Sequence, residues 1–261
     1  MRNPFLAPEG GRTPPVRAAA NYLLVCVVVV LVFWAALTAV DVKFDFGFIG
    51  TYHKRILDGF LMTIALSATS LVVSLLLGAL VAVGQGVRFL PARYLCDLYV
   101  KVIRGTPLMA QIYLFYYIIG TAVGLTSRFW AGVLILSIFE GAYIAEIIRG
   151  SLLSLDRTQL ESAAAVGFTH AQSLRYVILP QMIARTLPAL TGQFASVIKD
   201  SSLLSIIAVI EIMQTAKEIS STNYRLFETY FMVGVLYLVL TLPLTFVSRA
   251  FERRFNYARA T

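Results

Sequence analysis

Charge is scarce in this chain. Asp, Glu, Lys and Arg make up 14% of its 261 residues, where an average soluble domain carries about 25%. Hydrophobic residues reach 58%, mean hydropathy is +0.77, and the apolar residues gather in runs of about 20, the length that crosses a bilayer core. A soluble domain is excluded and a polytopic membrane protein is expected. Cysteine is almost absent: Cys26 lies in an apolar run and Cys96 beside a basic loop, so no disulfide framework is on offer. With the isolated His53 and His170 they make no metal site. There is no G-x-x-x-x-G-K-[ST] phosphate loop, which puts any ATP hydrolysis on another chain. No nucleophile–histidine pairing or convincing paired-acid site occurs, which argues against an integral-membrane enzyme.

What is present is a set of apolar runs separated by basic segments. Residues 1–21 form a basic tail with Pro4, Pro8, Pro14 and Pro15. The first apolar run, 22–40, lacks a convincing cleavage pattern and reads as a retained helix. A polar and aromatic stretch follows to Asp58, then a span over 59–84 with Thr63, Ser67, Ser70 and Ser74 at helical spacing, a small-residue face suited to close packing. Thr63 is kept as a pathway-lining candidate. Residues 85–104 read as a basic loop. Arg104-Gly105-Thr106-Pro107 opens a third span to about Val123, with Gln111 as a polar group that needs a partner inside the membrane. The fourth span, 129–148, holds Glu140 near its middle and Glu146 near one end. Residues 186–213 are longer than one straight span requires, and Lys199-Asp200-Ser201-Ser202 predicts a broken or partly unwound helix. The last span is 229–247, with Pro243 as a kink.

The net charge of +8 has a simple source in the positive-inside rule. With six spans and both termini inside, the inner segments carry Arg2, Arg12 and Arg17; Arg88, Arg93, Lys101 and Arg104; Arg149, Arg157, Arg175 and Arg185; and Arg249, Arg253, Arg254 and Arg259. The outer segments carry Lys43, Lys54, Arg55, Arg128, Lys217 and Arg225. Fifteen against six supports this orientation and places residues 156–180 in the cytoplasm.

That segment predicts two short helices. Asp156 with Gln159, and Thr169 with Gln172, are capping-box spacings. Gly167 is a C-terminal stop between them, and Pro180 is expected to end the second helix. On pattern alone this could be an amphipathic connector lying on the bilayer. Glu161, Ala163, Gly167 and the Ile178-Leu179-Pro180 ending, however, resemble the E-A-A-three-residues-G…I-L-P loop of ABC-importer permease subunits. The flanking G-A-Y-I-A-E-I-I-R-G-S and L-P-Q-M-I-A-R-T-L-P-A-L runs, with R-G-T-P-L at 104–108, are similar to the polar amino-acid (histidine/glutamine/glutamate-type) permeases. Ser162 stands where that family usually has alanine.

The resemblance implies an all-α integral membrane fold of about six transmembrane helices: a five-helix permease core over 57–254, one extra N-terminal helix at 22–40, and a cytoplasmic coupling-helix pair at 156–180. It implies docking on a cytoplasmic ATPase through Glu161, Ala163, Ala164 and Gly167, with ATP and Mg held by that partner. It further implies a second permease copy or homologue, an external solute-binding protein, and residence in the bacterial cytoplasmic (inner) membrane.

Lys199 and Asp200 are adjacent opposite charges at membrane depth, complementary to a free amino acid's carboxylate and ammonium. An internal ion pair that fixes the helix break is the other reading. The K-D-[ST]-S-L run resembles the family's cavity lining, which adds Ser201 and Ser202, with Thr63, Gln111 and Glu140 as further lining residues. Glu140 departs from the family, which has a small or hydroxyl residue there; contact with a cationic substrate group and pairing with Lys199 are both open. A proton-coupled secondary transporter using Glu140, Lys199 and Asp200 as a relay is the rival function. The absence of a visible inverted repeat and the presence of the loop argue against it.

Overall fold

The computed structural model describes residues 14–39 and 44–257, and all regular elements among them are helical. Two units separate at Phe46/Gly47. Among its described residues the first holds one helix, α1 (Pro15–Ala39), with no buried residue. It begins earlier than the composition of the tail suggests. Proline costs nothing in a first turn, where its missing amide would be unpaired, so residues 15–21 are helical rather than tail. The more N-terminal part of the expected tail, Arg2 to Arg12, and Lys43 and Arg259 lie outside the described residues.

The second unit opens with α2 (Phe48–Gly86), 39 residues long and therefore about 58 Å. Residues 48–58, expected as irregular, are its first three turns. Phe48, Tyr52 and Ile56 recur every fourth position and pack on Ile219, Met232 and Leu236, while Arg55 pairs with Glu218. Further along, Thr63, Ser67, Ser70, Ser74 and Gly78 are buried in one stripe. From Ser70 to Gly78 this stripe presses on α5 (Arg128–Leu153), where Ser137 Oγ donates to the Ser70 carbonyl at 3.2 Å. Small side chains matter here because lipid tails are as apolar as leucine, leaving close packing to hold the helices together.

The basic stretch expected as a loop is a helix, α3 (Leu90–Gly105). Its apolar side, Cys96, Tyr99 and Val100, packs on Val81 and Ala145, while Arg93, Lys101 and Arg104 stay exposed. Thr106 and Pro107 are extended, as proline requires of the residue before it. The chain turns there by 111° into α4 (Leu108–Tyr113), continued by π-helical turns over Leu114–Gly120.

α5 is the central helix. Val133, Ile135, Leu136, Phe139 and Ala142 meet Leu66, Ile103, Leu108, Ile112, Leu204 and Ile207 in the main core. After α6 (Arg157–Ala165) and α7 (His170–Ser173), the chain passes through a π-helical turn, Leu174–Ile178, straight into α8 (Leu179–Asp200). Pro180 therefore opens a helix instead of closing one. α8 ends at Asp200 and tightens into a 3-10 helix, Ser201–Ile207, that stops at left-handed Ala208 (φ 55°), so the expected break is present. The single long segment expected over 186–213 is in fact three elements, because α9 (Ile212–Asn223) starts anew after it. α10 (Leu226–Tyr257), with Pro243 inside it, closes the chain.

Among the described residues, four helices are long and apolar enough to cross a membrane: α1, α2, α5 and residues 226–247 of α10. The bent α3–α4 pair makes a fifth if it counts as one span.

Candidate functional site

Glu140 sits in the middle of α5 with no solvent exposure. A carboxylate so placed is costly unless donors surround it. One donor is present: the Gln193 amide of α8 hydrogen-bonds Oε2. Two helical turns on, the half-buried Asp200 occupies the same face of α8 and lies within hydrogen-bond reach of Glu140. Two ionised carboxylates would repel each other here, and Glu140 Oε1 finds no donor among the described residues. The arrangement of two carboxyls and one amide is met by one proton held between the acids or by positive charge placed beside them. Thr186 Oγ1, on the same side of α8, is also buried without a partner.

Lys199 is not part of this cluster. It is exposed, and it forms no ion pair with Asp200 or Glu140. Neighbouring positions on a helix point about 100° apart, so the Lys199 ammonium does not turn back onto the Asp200 carboxylate. The internal Lys199–Asp200 pair and the Lys199–Glu140 pair are both corrected on this ground.

Ser201 and Ser202 lead to a second buried acid that sequence reasoning missed. Ser201 Oγ donates back to the Ile198 carbonyl at 2.7 Å. Tyr237 of α10 is within hydrogen-bond reach of both serines and donates to Glu211 Oε2 at 2.9 Å. Glu211, fully buried, also accepts from the Met213 and Gln214 amides at 2.8 Å each and so caps α9. Thr63 serves the same helix start, accepting from the Ile212 amide at 3.1 Å and donating to the Gly59 carbonyl at 3.0 Å. The signal available in the sequence was Glu211-x-x-Gln214, an acid and an amide at cap spacing.

Gln111 stands elsewhere, at the α3–α4 corner. Its Nε2 donates to the Ile103 carbonyl at 2.7 Å and to Thr106 Oγ1 at 2.7 Å, tying the two sides of the 111° bend together.

The loop between α5 and α8 is built by its caps. Asp156 accepts from the Thr158 amide at 3.0 Å, and that hydrogen bond holds its carboxyl below the usual carboxylate range. Gln159 does not complete the expected capping box; its side chain instead accepts from Gln181 of α8. At the α6 C-terminus the Gly167 amide donates to the Ala164 carbonyl and the Phe168 amide to that of Ala163, both at 3.0 Å. This is a Schellman stop, with Gly167 at φ 83°. Thr169 and Gln172 form the second capping box as expected. Ala163 is turned inward, while Glu161, Ser162, Ala164 and Ala165 are exposed on α6, followed by exposed Val166 and Phe168.

Residues 74–257 match the family model described as the binding-protein-dependent transport system inner membrane component. The chain is 37% identical over 198 residues to the probable glutamine ABC transporter permease protein GlnM of Bacillus subtilis (strain 168), covering 76% of this chain and 92% of that protein. It is 35% identical over 214 residues to the glutamine transport system permease protein GlnP of Escherichia coli (strain K12), covering 81% and 98%. Among solved structures it resembles the crystal structure of an amino acid ABC transporter with histidines, with a TM-score of 0.76 and 36% identity, covering 82% of this chain and 100% of that one. The MetNI methionine ABC transporter in an inward-facing conformation, at 18% identity, TM-score 0.62 and coverage of 81% and 99%, shares the fold.

Proposed function

The chain belongs to the binding-protein-dependent transport system inner membrane components and is a non-catalytic permease subunit of an ABC importer; from this we propose that it conducts polar amino acids across the bacterial cytoplasmic membrane as one half of a permease dimer. The observation that carries the reading is the course of α8. This single helix of 22 residues, about 33 Å long, touches the loop through Gln181 and the carboxylate cluster through Gln193 and Asp200.

In this reading Glu140, Gln193 and Asp200 receive the positively charged part of the amino acid. Lys199, exposed on the single chain, faces the dimer's pathway and meets the carboxylate, with Ser201 and Ser202 in the 3-10 turn that ends α8. Thr63 and Gln111 shape the walls through the helix start and the corner they hold. Two ATPase subunits grip the loop at Glu161 and Ala164, while Ala163 and Gly167 fix its form, and an external binding protein delivers the substrate. The basic-residue asymmetry supports six spans with α8 as the sixth, both termini in the cytoplasm, and a transport core over 57–254 to which α1 is an addition.

Glu161→Lys tests the docking role. Proteoliposomes holding the variant and its ATPase are expected to lose ATP-driven uptake by about tenfold or more, in line with a coupling energy of a few kcal/mol, with insertion unchanged. Uptake at the parent rate removes Glu161 from the docking surface.

A further inference from the structure

A second polar cavity, sharing no residue with the carboxylate cluster, opens between the ends of α2, α3 and α5. Its volume is about 520 Å3, and it is lined by Gln85, Asp97, Lys101, Arg104, Glu146 and Arg149 among others. That size suits a small metabolite or a headgroup. It lies at the end of α5 that leads into the loop at 156–180, since Glu146 and Arg149 are within two turns of Leu153.

The two walls of this cavity ask for opposite things. On one, Glu146 is shared by two guanidiniums: Arg149 hydrogen-bonds both of its oxygens and Arg104 approaches to 3.6 Å. Arg104 also lies over the Tyr143 ring, 5.3 Å from its centroid, which steadies the guanidinium. Lys101 is exposed and has no carboxylate within ion-pair distance. Three cations against two carboxylates leave a surplus positive charge facing the cavity.

On the other wall, Gln85 is only 9% exposed. Its Nε2 donates to Asp97 Oδ1 at 2.9 Å. A carboxylate accepts only, so this bond fixes which way the amide points. Gln85 Oε1 is consequently the atom left over, buried and without a donor. A buried carbonyl oxygen in that state is a demand for an N–H group, and the neighbouring Asp97 makes a cationic one the best answer.

We propose that this cavity binds a zwitterion, with its anionic group on Lys101 and Arg104 and its ammonium on Asp97 beside the Gln85 amide. Two sources carry that chemistry: a free α-amino acid on the coupling-loop side, and the phosphate–ammonium headgroup of phosphatidylethanolamine. The residues are separate from Glu140 and Asp200, and an amino acid held at that cluster adds equally to the parent and to both variants, so the difference between them reads this cavity alone.

The test uses the full chain in its native complex, as the parent and as Gln85→Met and Lys101→Gln. Gln85→Met keeps side-chain length but removes both amide atoms. Lys101 is exposed, so its loss leaves the fold intact and decides the matter if the buried variant does not fold. Radiolabelled L-glutamine is measured by equilibrium dialysis in micelles free of phosphatidylethanolamine. Retained lipid is measured by native mass spectrometry after exposure to phosphatidylglycerol nanodiscs containing phosphatidylethanolamine. The expected result is one probe bound by the parent and bound about tenfold or more weakly by both folded variants, the size of one lost charge-assisted hydrogen bond. Loss of glutamine names the free amino acid as the source, and loss of the lipid names the headgroup. Binding of neither probe by the parent, or parent-like binding by a folded variant, overturns the assignment.

Discussion

Arg185, in the second turn of α8, donates from Nη1 to the Ser154 hydroxyl at 2.8 Å and also to the Ser154 carbonyl. Ser154 caps the end of α5, so this guanidinium ties the helix that carries Glu140 to the helix that carries Gln193 and Asp200. The tie sits beside the loop at 156–180, the segment proposed above to dock on the ATPase.

Removing it with Arg185→Ala leaves the carboxylate cluster untouched and loosens the joint. ATP hydrolysis is expected to continue while uptake per ATP falls about fivefold, the lower end of ordinary coupling energies. Parallel phosphate-release and uptake assays in proteoliposomes give the ratio; an unchanged ratio removes Arg185 from the transmission path.

Glu140→Gln separates function from stability. The buried acid has one amide donor and an opposing carboxyl, so its neutral isostere, which cannot ionise against that carboxyl, is expected to keep or raise the thermal midpoint. Uptake of a cationic amino acid should fall about tenfold, the loss of one charge-assisted contact, with neutral amino acids affected less. A lower midpoint together with unchanged selectivity would make Glu140 a structural residue.

Much of the fold was legible because hydrophobic length alone marks α1, α2, α5 and α10. What stayed hidden was helix with a mixed surface. α3 reads as a loop because its exposed side is basic, and residues 48–58 read as a loop because Thr51, His53, Lys54, Arg55 and Asp58 break up their apolar positions. The break after Asp200 was readable from four polar residues in a row, yet the separation of Lys199 from Asp200 was not: proximity in sequence is divergence on a helix. Gln193 and Glu211 went unseen for a related reason. Each acquires meaning only from a partner on another helix, Glu140 in one case and Tyr237 in the other.

Close approach of α2 and α5 predicts a sharp contrast between two glycines. A Cβ on Gly78 would stand 2.6 Å from Ile144 Cγ2 and 2.9 Å from the Gly141 carbonyl oxygen, whereas one on Gly192 of α8 meets nothing within 4 Å. Gly78→Ala is therefore expected to destabilise by about 1–3 kcal/mol through overpacking. Gly192→Ala should stabilise the single chain by up to about 1 kcal/mol through helix propensity. Thermal unfolding of both in one detergent checks the sign of each. A stable Gly78→Ala would mean that α2 and α5 can slide apart at little cost.

The stop at Gly167 shapes the loop rather than contacting anything: a Cβ there meets no atom within 4 Å. Substitution acts through the backbone alone, since φ 83° is left-handed and a non-glycine residue there costs about 1–2 kcal/mol. Gly167→Val should let α6 run on or fray, displacing Phe168 and the Thr169–Gln172 box that orient the second half of the loop. Gly167→Asn, which tolerates the left-handed region better, should be milder. The two variants insert and fold alike if the damage is confined to the loop. A graded loss of co-purifying ATPase, valine worse than asparagine, then ties docking to the geometry of the turn. Equal retention by both would mean that the ATPase holds the chain elsewhere.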